Sequence, residues 1–315
     1  MKLIFMGSGR FGVPSFRTLL DSSHTVQALI AQPDKPAGRG HAMHAPPTKA
    51  LAIERSVPVH QPKKVRDPAA IALIEEVAPD CIVVAAYGQI IPKSILDIPP
   101  KGIINIHGSL LPAYRGAAPI QWAIVRGETE TGVTTMLMDE GLDTGAILLQ
   151  KRTAIEPDDT SALLEQRLAL LGAELLLETL AGWEANTIAP RPQDDSRATL
   201  APRIKVEDAL VDWSRSSGEI ERAIRGFNPW PVAHTTLRGQ TVKLWGAAVE
   251  PVVNHGGPLG EPGEIVSISR EGILVRCGGS SLLRLSELQA EGKKRMAADA
   301  FARGQRLTAG VRWGG

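Results

Sequence analysis

The sequence has few cysteines and no long apolar run. Its 315 residues include two cysteines, Cys81 and Cys277, which lie far apart and lack the paired spacing of a zinc or redox site. We therefore expect buried or half-buried thiols. No apolar run approaches the roughly 18 residues of a membrane span, and the first residues lack the regions of a signal peptide. These absences predict a cytoplasmic protein.

The chain also lacks a strong net charge. Its 35 Lys and Arg residues nearly balance its 34 Asp and Glu residues, which leaves a net charge of +1. Residues 200–315 carry 16 basic and 12 acidic residues, whereas residues 1–199 carry 19 and 22. A modestly basic C-terminal part is compatible with a polyanionic partner and equally with a solvated surface. Charge alone leaves both possibilities open.

The length and the patterning predict two domains, the first of them α/β. Apolar runs alternate with helix-like stretches through the first half, which is typical of βαβ units in a doubly wound, mostly parallel sheet of the Rossmann-like kind. The predicted strands are residues 2–6, 25–31, 57–60, 80–86, 102–107, 132–138 and 146–153. The predicted helices are residues 12–21, 47–55, 68–78, 119–126 and 161–182.

The character of the sequence changes after Gly182. Residues 183–204 are rich in Pro, Asp, Ala and Arg and have no sustained periodicity, which is typical of a link between domains. A short helix over 216–227 and several short strand-like segments between Gly-containing turns follow, and they predict a smaller OB-like β-barrel. We place a catalytic domain at 1–189, a linker at 190–205 and a C-terminal domain at 206–315.

Residues 7–12, GSGRFG, match the G-x-G-x-x-G pattern that binds the pyrophosphate of a dinucleotide. They follow an apolar run and precede a helix-like stretch, and Asp34 closes the next apolar run about twenty residues later. On these residues alone, a nucleotide site and a turn with only a structural role are equally supported.

The most informative stretch is GIINIHGSLLPAYRGAAPIQWAI, residues 102–124. Asn105 and His107 are two residues apart, so a strand places both side chains on one face. Gly108 then ends the strand at the carboxyl edge of the sheet, where open α/β sheets bind their ligands. An amide and an imidazole buried there need a polar partner. We interpret the pair as a candidate active site.

A turn between the last two predicted strands of the first domain carries three acids, Asp139, Glu140 and Asp143, between Gly141 and Gly145. A turn rich in acids is usually a solvated turn. One carboxylate beside the amide and the imidazole would nevertheless complete a minimal set for acyl transfer. The sequence pattern alone does not indicate which of the three acids has this role.

The combination NIHGSLLPAYRGAAP and, some thirty residues later, GLDTG resembles the signature of the folate-dependent formyltransferase family. The stretch PDKPAGRGHAMHAPPTKALA at 33–52, the RGFNPWPVAHT segment and the total length narrow the resemblance to members that act on tRNA-bound methionine. The resemblance covers essentially the whole chain. It implies an enzyme that uses 10-formyltetrahydrofolate as co-substrate, initiator methionyl-tRNA as acceptor and no metal, and we expect a monomer.

The resemblance also implies roles for single residues. The positions that match the family's catalytic trio are Asn105, His107 and Asp143: the first two would hydrogen-bond the formyl oxygen, and Asp143 would orient His107 and help to remove a proton from the amine. The folate-contacting segment corresponds to Ser109, Leu110, Leu111 and Pro112. The loop at 33–47 would reach the acceptor end of the tRNA through Lys35 and Arg39. Its histidines, His41 and His44, have no third ligand nearby for a metal.

The resemblance implies that GSGRFG is a tight strand-to-helix turn with a structural role. It therefore disfavours a nicotinamide dehydrogenase. Two rival functions remain. A formyltransferase could act on a small amine, such as a nucleotide-linked sugar, and an RNA-binding protein could retain an inactive catalytic domain. The intact trio argues against the second, and the loop and the C-terminal domain favour tRNA over a small amine.

Overall fold

The computed structural model describes residues 1–37, 42–251 and 260–314 of the chain. These residues form two compact units. Unit 1 is built from residues 1–119, 130–154 and 165–202, and unit 2 from 120–129, 155–164 and the part of the chain that starts at 203.

A seven-stranded sheet forms the centre of unit 1. The strands of this unit are β1 (Lys2–Gly7), β2 (Thr25–Ile30), β3 (Lys35–Ala37), β4 (Ala42–His44), β5 (Val59–His60), β6 (Cys81–Ala85), β7 (Ile103–His107), β8 (Glu130–Leu137) and β9 (Ile147–Ala154). The order in the sheet is β5-β2-β1-β6-β7-β8-β9. The first five strands in this order are parallel, and β8 and β9 continue the sheet antiparallel. The predicted doubly wound, mostly parallel sheet is confirmed.

The helices that follow these strands along the chain are α1 (Gly12–Leu20), α2 (Pro47–Glu54), α3 (Pro68–Val77), α4 (Lys93–Leu96), α5 (Pro119–Arg126) and α6 (Ser161–Glu184). Pro47 and Pro68 occupy the first turns of α2 and α3, where the missing N–H has no intrahelical partner to lose. The predicted strands and helices of this half are observed with ends that differ by at most two residues. The short hairpin of β3 and β4 and the single turn of α4 were not predicted.

Apolar residues on one face of the sheet form a buried core in unit 1. Alternating residues of β1 and β6, among them Ile4, Met6 and Ile82, pack with Ile74 of α3. Because the period of a strand is two, this packing fixes which side chains of each strand face the helices. The parallel strands β1, β6 and β7 all end at one edge of the sheet, which is therefore its carboxyl edge.

Unit 2 contains a six-stranded antiparallel sheet. Its strands are β10 (His234–Leu237), β11 (Gln240–Glu250), β12 (Ile265–Ser269), β13 (Gly272–Arg276), β14 (Leu282–Ala290) and β15 (Met296–Ala297), and its helices include α7 (Ser217–Gly226) and α8 (Ala298–Gln305). The order is β10-β11-β14-β13-β12, with β15 paired to β14. A capping box of Ser216 and Glu219 begins α7. The predicted C-terminal β domain is confirmed, whereas β15 and α8 were not predicted.

Both cysteines are buried. Cys81 lies in the central strand β6, and Cys277 follows β13. Burial raises the pKa of each thiol to about 12, so both remain protonated at neutral pH. The prediction of buried thiols is confirmed. Within the described ranges, no helix is both long enough and apolar enough to cross a bilayer.

The turn from β1 to α1, residues 7–12, is closely packed. A Cβ atom at Gly7 would lie 2.6 Å from Cε1 of Phe5 and 2.7 Å from the carbonyl oxygen of Ala85. The backbone N–H groups of Ser8 and Gly9 donate to the carbonyl oxygen of Ala86 at 3.2 and 3.3 Å. The predicted role of these glycines in chain reversal and close packing is confirmed.

Replacing Gly7 with alanine is expected to lower the free energy of unfolding by about 1–3 kcal/mol, because the new methyl group would overlap a neighbouring strand. The matched control is Gly304→Ala in α8, where an added Cβ has no neighbour within 4 Å. The control should be neutral or slightly stabilising, since alanine favours the helix. Urea unfolding midpoints test this difference. Equal midpoints for the two variants would contradict the packing argument.

Candidate active site

Asn105 and His107 lie together at the carboxyl end of β7. The two side chains share one face of the strand, as their spacing predicts, while Ile104 and Ile106 on the other face are buried. His107 is 6% exposed. The Asn105 side chain is half-buried, and its amide has no hydrogen-bond partner within the described residues. Among the described residues, no contact would have to break for this amide to bind a ligand.

The imidazole of His107 lies between two oxygen atoms and is hydrogen-bonded to one of them. Its Nε2 lies 2.9 Å from the carbonyl oxygen of Tyr114, and its Nδ1 lies 3.6 Å from Oδ2 of Asp143. Because a carbonyl can only accept, Nε2 must be protonated and must donate the hydrogen bond to Tyr114. The second distance is too long for a hydrogen bond. The Nδ1 edge of the ring is consequently near a carboxylate but not bonded to it.

Asp143 is the acid that the structure brings to His107. Its backbone is left-handed, with φ of 54°, and its Oδ2 accepts the N–H of Gly116 at 2.8 Å. Asp139 instead accepts hydrogen bonds from Gly141 and Thr144 within its own turn. Glu140 is exposed and lies 3.9 Å from Nζ of Lys93. Of the three acids in this turn, Asp143 alone is within 4 Å of the imidazole in the described part of the chain.

The loop after β7 is held by internal hydrogen bonds. The hydroxyl of Ser109 donates to the carbonyl of Ala113 at 2.6 Å. The N–H of Leu111 donates to Oγ1 of Thr134, and the amide of Gln150 donates to the carbonyl of Leu111. Leu111 is also packed in a small core, so its side chain is internal.

The predicted folate segment therefore divides into buried and accessible parts. The side chains of Ser109 and Leu111 are buried, whereas Leu110 and Pro112 are partly exposed. Contact of this segment with a folate stays a prediction.

The same site includes three residues that were not predicted from the sequence: Arg115, Gly116 and Gln193. A Cβ at Gly116, where φ is 122°, would lie 2.6 Å from the carbonyl oxygen of Ala201. Arg115 is 7% exposed and donates to the side chain of Gln193, which in turn donates to the backbone of Asp143. Gln193 lies in a segment without periodicity, so no local pattern indicates it.

The groups that would bind a dinucleotide are occupied by the chain itself. The carboxylate of Glu165 faces the backbone of Phe11 at the GSGRFG turn; burial raises the pKa of Glu165, and Arg10 and the Phe11 N–H oppose the shift. Hydrogen bonds from Gln61 and Lys49 hold the carboxylate of Asp34 and lower its pKa. These contacts disfavour a phosphate at the turn and a ribose on Asp34.

The predicted tRNA contacts are described only in part. Lys35 is exposed and lies on β3, paired in register with His44 of β4. Arg39 and His41 lie outside the described residues. Among the residues that are described, no three His, Cys, Asp or Glu side chains are grouped to hold a metal ion. The absence of a metal stays a prediction.

Two family models match the chain, one for each part. The model described as formyl transferase matches residues 1–180, and the model described as formyl transferase, C-terminal domain, matches residues 203–306. The chain belongs to the formyl transferase family. It is a formyl-transferring enzyme, as its sequence predicts.

Full-length relatives within this family carry a more specific name. The methionyl-tRNA formyltransferase of Geobacter sulfurreducens is 50% identical over 314 residues, which cover 100% of this chain and 97% of that protein. The methionyl-tRNA formyltransferase of Geobacter metallireducens is 48% identical over 314 residues, with 100% and 99% covered. The resemblance stated from the sequence is confirmed by these relatives.

Solved structures share the fold at low sequence identity. The N-formyltransferase of Helicobacter canadensis, solved with folinic acid and dTDP-3-aminofucose, has a TM-score of 0.67 and 17% identity. The match covers 92% of this chain and 99% of that one. It supports the fold.

Proposed function

We propose that this enzyme transfers the formyl group of 10-formyltetrahydrofolate to the α-amino group of methionine esterified to initiator tRNA. Family membership and full-length relatives of about 50% identity support the proposal. The observation that carries it is the grouping of an amide, an imidazole and a carboxylate at the carboxyl edge of the sheet. The imidazole of His107 lies 3.6 Å from the carboxylate of Asp143.

The amide of Asn105 and the imidazole of His107 would stabilise charge on the formyl oxygen. When the amine attacks the formyl carbon, negative charge develops on that oxygen, and donors already in place lower the barrier. The Asn105 amide has no competing partner among the described residues. Tyr114 holds Nε2 of His107, and Asp143 at 3.6 Å does not bond Nδ1, so Nδ1 is the nitrogen that would donate to the formyl oxygen.

Asp143 would supply the negative charge and the proton acceptor. Its carboxylate lies 3.6 Å from Nδ1 of His107 and would keep the ring in its orientation. An α-amino group has a pKa of about 7.7–8.0, so a usable fraction is already neutral near pH 7. The bond from nitrogen to the formyl carbon forms, the bond from that carbon to N10 of the folate breaks, and the amine's proton passes to N10. Asp143 and His107 would carry that proton.

We also propose the partners and boundaries that the sequence indicates. The folate would lie against Ser109, Leu110, Leu111 and Pro112, and the tRNA would contact Lys35, Arg39 and the C-terminal domain. The domain limits are 1–189 and 206–315, with the linker at 190–205. The enzyme would act as a monomer in the cytoplasm, where initiator tRNA is used, and would need no metal.

The test is a formyl-transfer assay with two acceptors. The purified chain is mixed with 10-formyltetrahydrofolate and either initiator tRNA charged with methionine or a nucleotide-linked amino sugar. Formylmethionine released from the tRNA is the expected product. Formylation of the sugar with no formylmethionine would overturn the proposed acceptor, and no transfer to either would overturn the proposed reaction.

A further inference from the structure

The side-chain amide of Gln193 uses every hydrogen-bonding position that it has. Its Oε1 accepts from Nε and Nη2 of Arg115 at 3.0 and 2.8 Å. Its Nε2 donates to the backbone carbonyls of Asp143 and Gly145, both at 2.8 Å. A glutamine amide has one acceptor oxygen with two lone pairs and two N–H donors, so all four are engaged.

The chemistry of its neighbours fixes the orientation of this amide. A guanidinium can only donate, so the oxygen of Gln193 must face Arg115. A backbone carbonyl can only accept, so the nitrogen must face the turn that carries Asp143. The amide cannot turn over without losing all four bonds.

Arg115 is itself held in place. It is 7% exposed, and its Nη2 also lies 2.7 Å from Oδ1 of Asp195. Its backbone N–H donates to Thr199, and its carbonyl accepts the N–H of Ala201. Residues 193–201 therefore support the loop after β7 and the Asp143 turn at the same time.

We infer that Gln193 is the positioning residue of the active site: it holds the backbone of Asp143 so that the carboxylate faces His107. This inference rests on the proposed function. Asp143 needs such support because its backbone is left-handed, with φ of 54°, a conformation that non-glycine residues adopt at a cost. The N–H of Gly116 holds the carboxylate, and Gln193 holds the main chain that carries it.

Gln193→Glu tests the inference, because it keeps the shape of the side chain and its acceptors for Arg115 but removes both donors to the turn. We expect kcat to fall at least tenfold while KM for each substrate stays within about twofold, since misplacing a catalytic group by about 1 Å can cost a hundredfold in rate. The control is Gln27→Glu, the same change at an exposed position of β2, which should behave as wild type.

A double variant separates positioning from a general structural role. If Gln193 acts through Asp143, adding Gln193→Glu to Asp143→Asn should slow the reaction no further. If Gln193 only maintains the fold, the two losses in kcat should multiply. A multiplied loss, or an unchanged kcat in Gln193→Glu, would overturn the inference.

Hydrogen exchange provides a measurement that does not depend on activity. Backbone amides of residues 139–146 should exchange faster in Gln193→Glu than in wild type, and Gln27→Glu should leave them unchanged. If Gln193→Glu does not fold, Gln193→Met provides a neutral side chain of similar length without donors. Unchanged exchange in a folded variant would contradict the inference, whereas an inactive wild-type enzyme would contradict only the proposed function.

Discussion

Asp143→Asn is expected to lower kcat for formyl transfer at least a hundredfold without changing the urea unfolding midpoint. The substitution keeps an oxygen for the N–H of Gly116 but removes the negative charge 3.6 Å from Nδ1 of His107. Proton transfer by a positioned side chain contributes about 10²–10⁴ to rate. Both the charge that orients the imidazole and the acceptor for the amine's proton would be lost. Single-turnover transfer to methionine on tRNA measures the effect.

The same turn offers a control for the loss of charge. Glu140→Gln removes a neighbouring charge that is exposed and lies 3.9 Å from Nζ of Lys93. This variant should keep wild-type kcat. If the two variants lost similar activity, the effect would come from the charge of the turn as a whole, and Asp143 would have no specific role.

The single substitution Asn105→Ala is expected to lower kcat about a hundredfold, because removing one donor to a developing oxyanion typically costs that much or more. The half-buried amide makes no hydrogen bond among the described residues, so its removal should disturb little else. KM for the folate should change far less than kcat. Comparison of kcat and KM with circular dichroism of the folded variant measures the effect.

Asn105→Asp sharpens this test, since it keeps the shape of the side chain and replaces the donor with a negative charge. It should be at least as slow as the alanine variant, because the carboxylate repels charge on the formyl oxygen. Activity in the aspartate variant close to that of wild type would show that Asn105 does not act as a donor.

Much of the catalytic unit could be predicted because its strands are buried on both faces. Runs such as CIVVA in β6 and IINIH in β7 stand out from their surroundings, and the helices between them carry apolar residues at helical spacing. The spacing of Asn105 and His107 fixes a shared face by geometry alone. Because the predicted strand ends just after His107, the pair can be assigned to the carboxyl edge of the sheet even though the loop conformations are unknown.

Other parts depend on loop conformation and on contacts distant in sequence, which no local pattern encodes. The selection of Asp143 over Asp139 follows from the left-handed backbone of one residue and a hydrogen bond from Gly116. Gln193 lies 50 residues from Asp143 in a segment without periodicity. The short hairpin of β3 and β4 has too few residues to show an alternating pattern.

Single-turnover transfer of a labelled formyl group tests the central claim most directly. Wild type and a folded variant combining Asn105→Ala, His107→Ala and Asp143→Asn are each mixed in excess with labelled 10-formyltetrahydrofolate and initiator tRNA charged with methionine. We predict complete labelling of the methionine by wild type and a rate near that of the uncatalysed reaction for the variant, with the tRNA still bound. A variant that labels the methionine at a rate near that of wild type would contradict the account.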